Sequence, residues 1–192
     1  MRWKDVESGI ELGVLTSLMR KLDCLSAIHL IANLDRGIRI YASPSCADSV
    51  MSHVRAYRHE VGGLLLGQVY QAAAGQNASD AVVIILKSLP SLEFQSSSVS
   101  LQMGAEVWSR IKDNDSSHSV VVGWYHSHPN LGAFFSGTDR RTQRGFFNHH
   151  YSLGWVIDPV RNDHKLFYTG DADEYPHPLV VLNHDLEMAE NF

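Results

Sequence analysis

The chain holds only two cysteines, Cys24 and Cys46, among its 192 residues. That is too few for a disulfide scaffold or a Cys-rich zinc module, so both are expected as small buried or half-buried thiols in a reducing compartment. Long hydrophobic runs are absent too. The longest near-apolar stretch, Leu25 to Leu34, is broken by His29 and Asn33 and falls well short of the ~20 residues that span a bilayer. Met1 to Glu7 carries acids where a secretory signal needs an apolar run. An excess of positive charge is missing as well: 16 Lys and Arg face 21 Asp and Glu, a net charge of −5. That balance argues against a protein whose main work is gripping phosphate backbones. These absences lead to the expectation of a soluble, cytoplasmic protein with no membrane or nucleic-acid partner.

What is present is enough apolar material, 44% of residues, to bury a core, with 19% charged residues. The length suits one domain or one domain with a short extension. Eleven histidines stand out. Histidine is the commonest metal ligand and a common general base, so the count says where to look.

Apolar residues at Val14, Leu15, Leu18, Met19, Leu22 and Leu25 recur at helical steps and predict a helix within residues 10–34. Ile38 to Tyr41 alternates as a short strand, and Pro44-Ser45 opens a helix through Val50, Val54 and Tyr57. Residues 61–70 and 81–87 are strand-like, joined by a hairpin loop over 72–77. The Ser-rich stretch 91–100 reads as a loop, followed by a helix on Met103, Val107, Trp108 and Ile111. Residues 119–125 form a strong buried strand stopped by Pro129; a helix over roughly 137–149 and strands at 153–157 and 165–169 follow. Asp158-Pro159 reads as a turn. Strands interleaved with two or three helices predict a single α/β or α+β domain.

The informative segment is His126-Ser127-His128-Pro129, then six residues, then Ser136-Gly137-Thr138-Asp139. On a strand, residues two apart share a face, so His126 and His128 can converge on one ion while Ser127 points away. Asp139 would join them from the first turn of a helix. Two imidazoles and one carboxylate leave a fourth position open, the arrangement of catalytic rather than structural zinc. Nitrogen and oxygen ligands also suit other divalent metals, with zinc the default. Glu60, at the mouth of a glycine-rich strand, is the candidate base for the attacking water, although Glu93 and Glu106 also exist. Ser136 is a candidate oxyanion donor and equally a capping-box residue; the two roles are compatible. With 11 His, 6 Pro, 21 Ser and 13 Asp, composition alone yields this string on the order of once per million windows. The remaining histidines, including His53, His59, His118, His149 and His150, lie in no recognisable ligand spacing.

Over roughly Ile38 to Thr169 the sequence resembles the JAMM metalloproteases, the MPN-plus or Mov34/MPN/PAD family. The matching residues are Glu60 with Gly62-Gly63-Leu64-Leu65-Leu66-Gly67, then His126 through Asp139. Gly123 to Pro129 and Asp139-x-x-Thr142-Gln143 look most like the proteasome-lid and signalosome branch. A small separate chain of this kind is similar to the deubiquitinase-type members of bacterial ubiquitin-like conjugation systems. The resemblance implies a three-layer, cytidine-deaminase-like domain with a twisted mixed sheet. It implies one Zn2+ on His126, His128 and Asp139, with Glu60 as acid/base and Ser136 at the oxyanion. It implies hydrolysis of the peptide or isopeptide bond after the C-terminal glycine of a ubiquitin-like protein, in precursors or conjugates, with activating and conjugating enzymes as associates. Family members place a substrate-binding insertion where Ser91 to Ser100 lies. The division expected is an N-terminal extension (1–37), a catalytic domain (38–170) and a C-terminal segment (171–192) packing on or trailing it. Two alternatives stay open: a JAMM peptidase acting on sulfur carriers or on phage-tail and cell-wall peptides, and a non-catalytic MPN scaffold.

Overall fold

The computed structural model describes residues 13–33, 37–71, 81–92, 95–96, 101–102, 105–113 and 119–186. Its long strands are the Val-, Ile- and Leu-rich runs. These are β3 (Gly62–Gln71), β4 (Ala81–Pro90), β7 (Val120–Ser127) and β8 (Leu153–Asp158). Shorter strands complete the set: β1 (Gly13–Val14), β2 (Arg39–Ala42), β5 (Gln95–Ser96), β6 (Leu101–Gln102), β9 (Asp163–Tyr168), β10 (Asp173–Glu174) and β11 (Val180–Val181). One mixed nine-stranded sheet runs in the order β10-β9-β8-β7-β3-β4-β2-β11, with β1 on β3. The β3–β4 and β3–β7 pairs are antiparallel, whereas β7–β8 and β2–β4 are parallel. The β7–β8 crossover carries the loop and helix that follow the histidine motif.

Side chains alternate across the strands, so the sheet buries apolar residues on both faces. Ile40 and Ala42 of β2 and Leu65 of β3 pack with Cys46, Val50 and Val54 of α3 (Pro44–Arg55). Between them, Tyr41 turns to the other face and meets Leu18 of α1 (Leu15–Met19) and Leu30 of α2 (Cys24–Ile31). Further along that face Leu64, Leu66 and Trp124 pack with Val107 of α4 (Ala105–Asp113) and with Phe135 and Phe147, which flank α5 (Gly137–Phe146). The result is a mixed α/β architecture with helices on both faces of the sheet, as expected. No helix among the described residues is long and apolar enough to cross a membrane.

Local chemistry explains where the structure departs from expectation. The helix expected within 10–34 is two short helices, because the Asp23 carboxylate accepts from the amides of Leu25 and Ser26 and starts α2 afresh. Cys46 is buried, but Cys24, on the outer face of that new helix, is exposed. The helix begun at Pro44 ends at Arg55, before Tyr57; Ser43 caps it, with Pro44 in the first turn. Gln95–Ser96 of the Ser-rich stretch form β5, which pairs with β6 just after it as a separate two-stranded ribbon. The 72–77 loop, Met103, His118 and Glu93 lie outside the described residues. The terminal segments join the sheet at Gly13–Tyr70 and Val180–Tyr41.

Candidate metal centre

β7 carries His126 to the carboxyl end of the sheet, where it is flanked by Gly62 of β3 and Val156 of β8. Ligands of open α/β sheets gather at such ends. The next two residues extend the strand's alternation, with the His128 amide donating to the Ile157 carbonyl at 2.8 Å. Both imidazoles therefore turn to one side, and their Nε2 atoms stand 3.1 Å apart. Ser127 turns the other way and has a task there. Its Oγ accepts from the Val61 amide at 3.1 Å, tying the residue after Glu60 to the histidine strand. Glu60 Oε1 lies 3.9 Å from His128 Nε2, with 27% of its side chain exposed.

Asp139 arrives from α5 through a reciprocal cap. The Ser136 amide donates to Asp139 Oδ2 at 2.6 Å and the Asp139 amide donates to Ser136 Oγ at 3.2 Å. The other carboxylate oxygen, Oδ1, stands 3.3 Å from His126 Nε2. One acid thus starts the helix and faces the imidazoles. His126, His128 and Asp139 are all buried, and among the described residues theirs is the one His/Cys/Asp/Glu group with donor atoms converging as a metal site requires, all within 4.8 Å.

The donor set fits a tetrahedral ion. Zinc bonds of about 2.05 Å at tetrahedral angles separate neighbouring ligand atoms by roughly 3.3 Å. The two imidazole nitrogens stand 3.1 Å apart and Asp139 Oδ1 lies 3.3 Å from His126 Nε2, while the other carboxylate oxygen, Oδ2, is 3.8 Å from His128 Nε2. Protonation favours the same use. Burial, then the neighbouring His126, pulls the His128 pKa down, so its ring is held neutral. Burial pushes Asp139 upward, but hydrogen bonds from His126 and Ser136 outweigh it and hold the carboxyl below its ordinary value.

Four residues outside the motif string support these groups. The Trp124 ring stacks on His126, with centroids 4.6 Å apart and planes within 7°. Trp124 Nε1 donates to Gln143 Oε1 at 2.8 Å, and Gln143 Nε2 reaches the carbonyls of Phe147, Ser152 and Thr169. Gly154 lies beneath this stack, where any Cβ would strike the Phe135 ring. Asp158, expected only as a turn residue, accepts from the amides of Asn130 and Gly132 and from those of Val160 and Arg161. It thereby anchors the loop after His128, in which Asn130 and Gly132 take φ of 62° and 93°. Gln143 had a sequence signal, since it sits one helical turn after Asp139. Asp158 had none beyond the proline after it.

Fold and site together define a mixed α/β domain with a buried His-His-Asp group at the carboxyl end of a central strand. The chain belongs to the family described as prokaryotic homologs of the JAB domain, whose model matches residues 43–167. It is 34% identical over 109 residues to COP9 signalosome complex subunit 5 of Caenorhabditis elegans, covering 53% of this chain and 27% of that protein. It is 41% identical over 44 residues to ubiquitin carboxyl-terminal hydrolase RPN11 of Saccharomyces cerevisiae, covering 22% of this chain and 14% of that one. The chain thus spans about a quarter or less of the length of these relatives. A solution structure of a protein from Desulfitobacterium hafniense shares the fold, with a TM-score of 0.55, 23% identity, and coverage of 79% of this chain and 99% of that one.

Proposed function

We propose that this chain is a cytoplasmic zinc-dependent hydrolase that cleaves the peptide or isopeptide bond after the C-terminal glycine of a ubiquitin-like protein. The observation that carries the reading is the convergence of His126, His128 and Asp139 on one point with Glu60 beside them. Similarity to a ubiquitin carboxyl-terminal hydrolase supports the substrate class. His126 and His128 through Nε2, and Asp139 through a carboxylate oxygen, are the ligands. A zinc ion held there would supply Lewis-acid polarisation and acidify water at the site. Glu60, partly open to solvent, takes a proton from the attacking water and returns it to the leaving amine. The Ser136 hydroxyl donates to the carbonyl oxygen as charge develops on it; one such donor is typically worth ~3 kcal/mol. Phe134 and Leu131, exposed beside the centre, offer apolar surface to a polypeptide. The 91–100 stretch binds the substrate's extended tail, taking it as an added strand. Enzymes that activate and conjugate the ubiquitin-like protein are the expected associates.

The test is cleavage of a ubiquitin-like fusion by the zinc-loaded chain and by Glu60→Gln. We expect kcat to fall about 10²- to 10⁴-fold in the variant while one equivalent of metal is retained. Undiminished turnover in Glu60→Gln would refute the mechanism. Protein that retains no metal after purification without chelator would refute the site.

A further inference from the structure

Three strands along the sheet from His126, β2 brings a second polar cluster into a cavity of about 160 Å³. Arg39 lines it and is only 4% exposed. Its Nε donates to the Asn33 carbonyl and its Nη1 to the Ile38 carbonyl, but Nη2 is buried with no partner among the described residues. No carboxylate among the described residues forms an ion pair with it, and none lines the cavity. Instead His29 and His177 line the walls. Tyr41, also in the wall, supplies no negative charge, since burial pushes its phenol up to about 12. A buried guanidinium without a counter-charge is costly, and an anion is what offsets it. Planar forked donors of this kind match carboxylate and phosphate oxygens.

We infer that this cavity is a binding site for a small organic anion, read through its carboxylate or phosphate group by Arg39. The volume corresponds to about five waters, enough for an oxyanion and a few carbon atoms. Ile40, Pro178 and Val180 give the carbon part an apolar wall. The site shares no residue with the His-His-Asp centre, so the inference stands apart from the hydrolase reading. Its walls come from α2, β2 and the segment leading into β11. A bound anion therefore fastens α2, β2 and the segment leading into β11 to one another.

Calorimetric titration of the zinc-loaded full chain with inorganic phosphate, and separately with acetate, tests this against sodium chloride of matched ionic strength. We expect saturable one-to-one binding of at least one anion; which one binds distinguishes a phosphate from a carboxylate ligand. Arg39→Gln should weaken it on the order of 30-fold or more. Val180→Phe, which fills the cavity from a surface strand and keeps the arginine, should weaken it comparably with metal content unchanged. Absence of saturable binding by both anions up to tens of millimolar would overturn the inference. So would binding that survives Val180→Phe at wild-type strength, since the anion would then sit elsewhere.

Discussion

Gln143 is fully buried, yet every polar atom of its amide is used. Its oxygen accepts from Trp124, and its nitrogen donates toward three carbonyls contributed by α5's end, the residue before β8, and the turn after β9. Replacing it with leucine keeps the volume but strips Trp124 Nε1 and the Phe147 carbonyl of this partner, while the Ser152 and Thr169 carbonyls keep backbone amides. Gln143→Leu should cost about 3 kcal/mol or more, read as a loss of roughly 6–12 °C in Tm. Because Trp124 then loses the peg that orients it against His126, metal affinity should fall about 10- to 100-fold, measured by competition with a chromophoric chelator. Ser136→Ala separates differently. It removes a helix cap worth about 1 kcal/mol and, on the proposed mechanism, lowers kcat by about 10²- to 10³-fold at unchanged metal content.

The element most in need of outside support is the loop between β7 and α5, which must leave His128 and return with Asp139 thirteen residues after His126 begins the motif. Asp158 supplies that support from the end of β8. Burial raises its carboxyl, but the amides of Arg161, Asn130, Gly132 and Val160 together hold it below the ordinary 3.8. A carboxyl with a depressed folded-state pKa stabilises the protein above its unfolded pKa. That contribution is lost as pH falls below about 4 through the folded value. Asp158→Asn should therefore lower Tm by several degrees at pH 7, and the gap to wild type should narrow as pH falls toward 3. A constant gap across that range would mean the charge is not what anchors the loop. The same reasoning explains α1 and α2: apolar spacing alone runs on from Val14 to Leu25, but the carboxylate of Asp23 starts a new helix where periodicity shows no break. Strand positions were legible because alternation and β-branched runs are local properties. The turn-making side chains were not, because their partners are distant or because a single polar atom overrides a pattern.

For the molecule as a whole, the proposed zinc site would couple metal binding to folding. An ion present at about a thousand times its dissociation constant adds ~4 kcal/mol, so chelation should lower Tm by roughly 8–16 °C. His126→Ala should abolish that shift. The sheet order sets the distances that matter here. β3 lies between β7 and β4, so the strand that follows Glu60 pairs directly with the strand that carries His126. The proposed anion cavity lies beyond β4, where α2 and the segment leading into β11 flank β2. Exchanging residues 91–100 for a Gly-Ser linker should raise KM on a ubiquitin-like substrate with kcat little changed; an unaltered KM would remove that stretch from substrate capture.

The sequence by itself determined the family resemblance, the mixed α/β class and the grouping of His126, His128 and Asp139. Those follow from short-range rules: two-residue alternation on a strand, and a cap that aims an acid in the first turn of a helix. Only the tertiary structure decided that Glu60 stands beside His128 rather than elsewhere along the sheet. That proximity comes from β3–β7 pairing and the Ser127–Val61 bond across 66 residues. It also decided the tasks of Gln143 and Asp158 and left Arg39 buried without an acid partner among the described residues. Hydrogen-bond satisfaction in the interior is settled by which distant backbone groups the fold brings within 3 Å, and no local pattern encodes that choice.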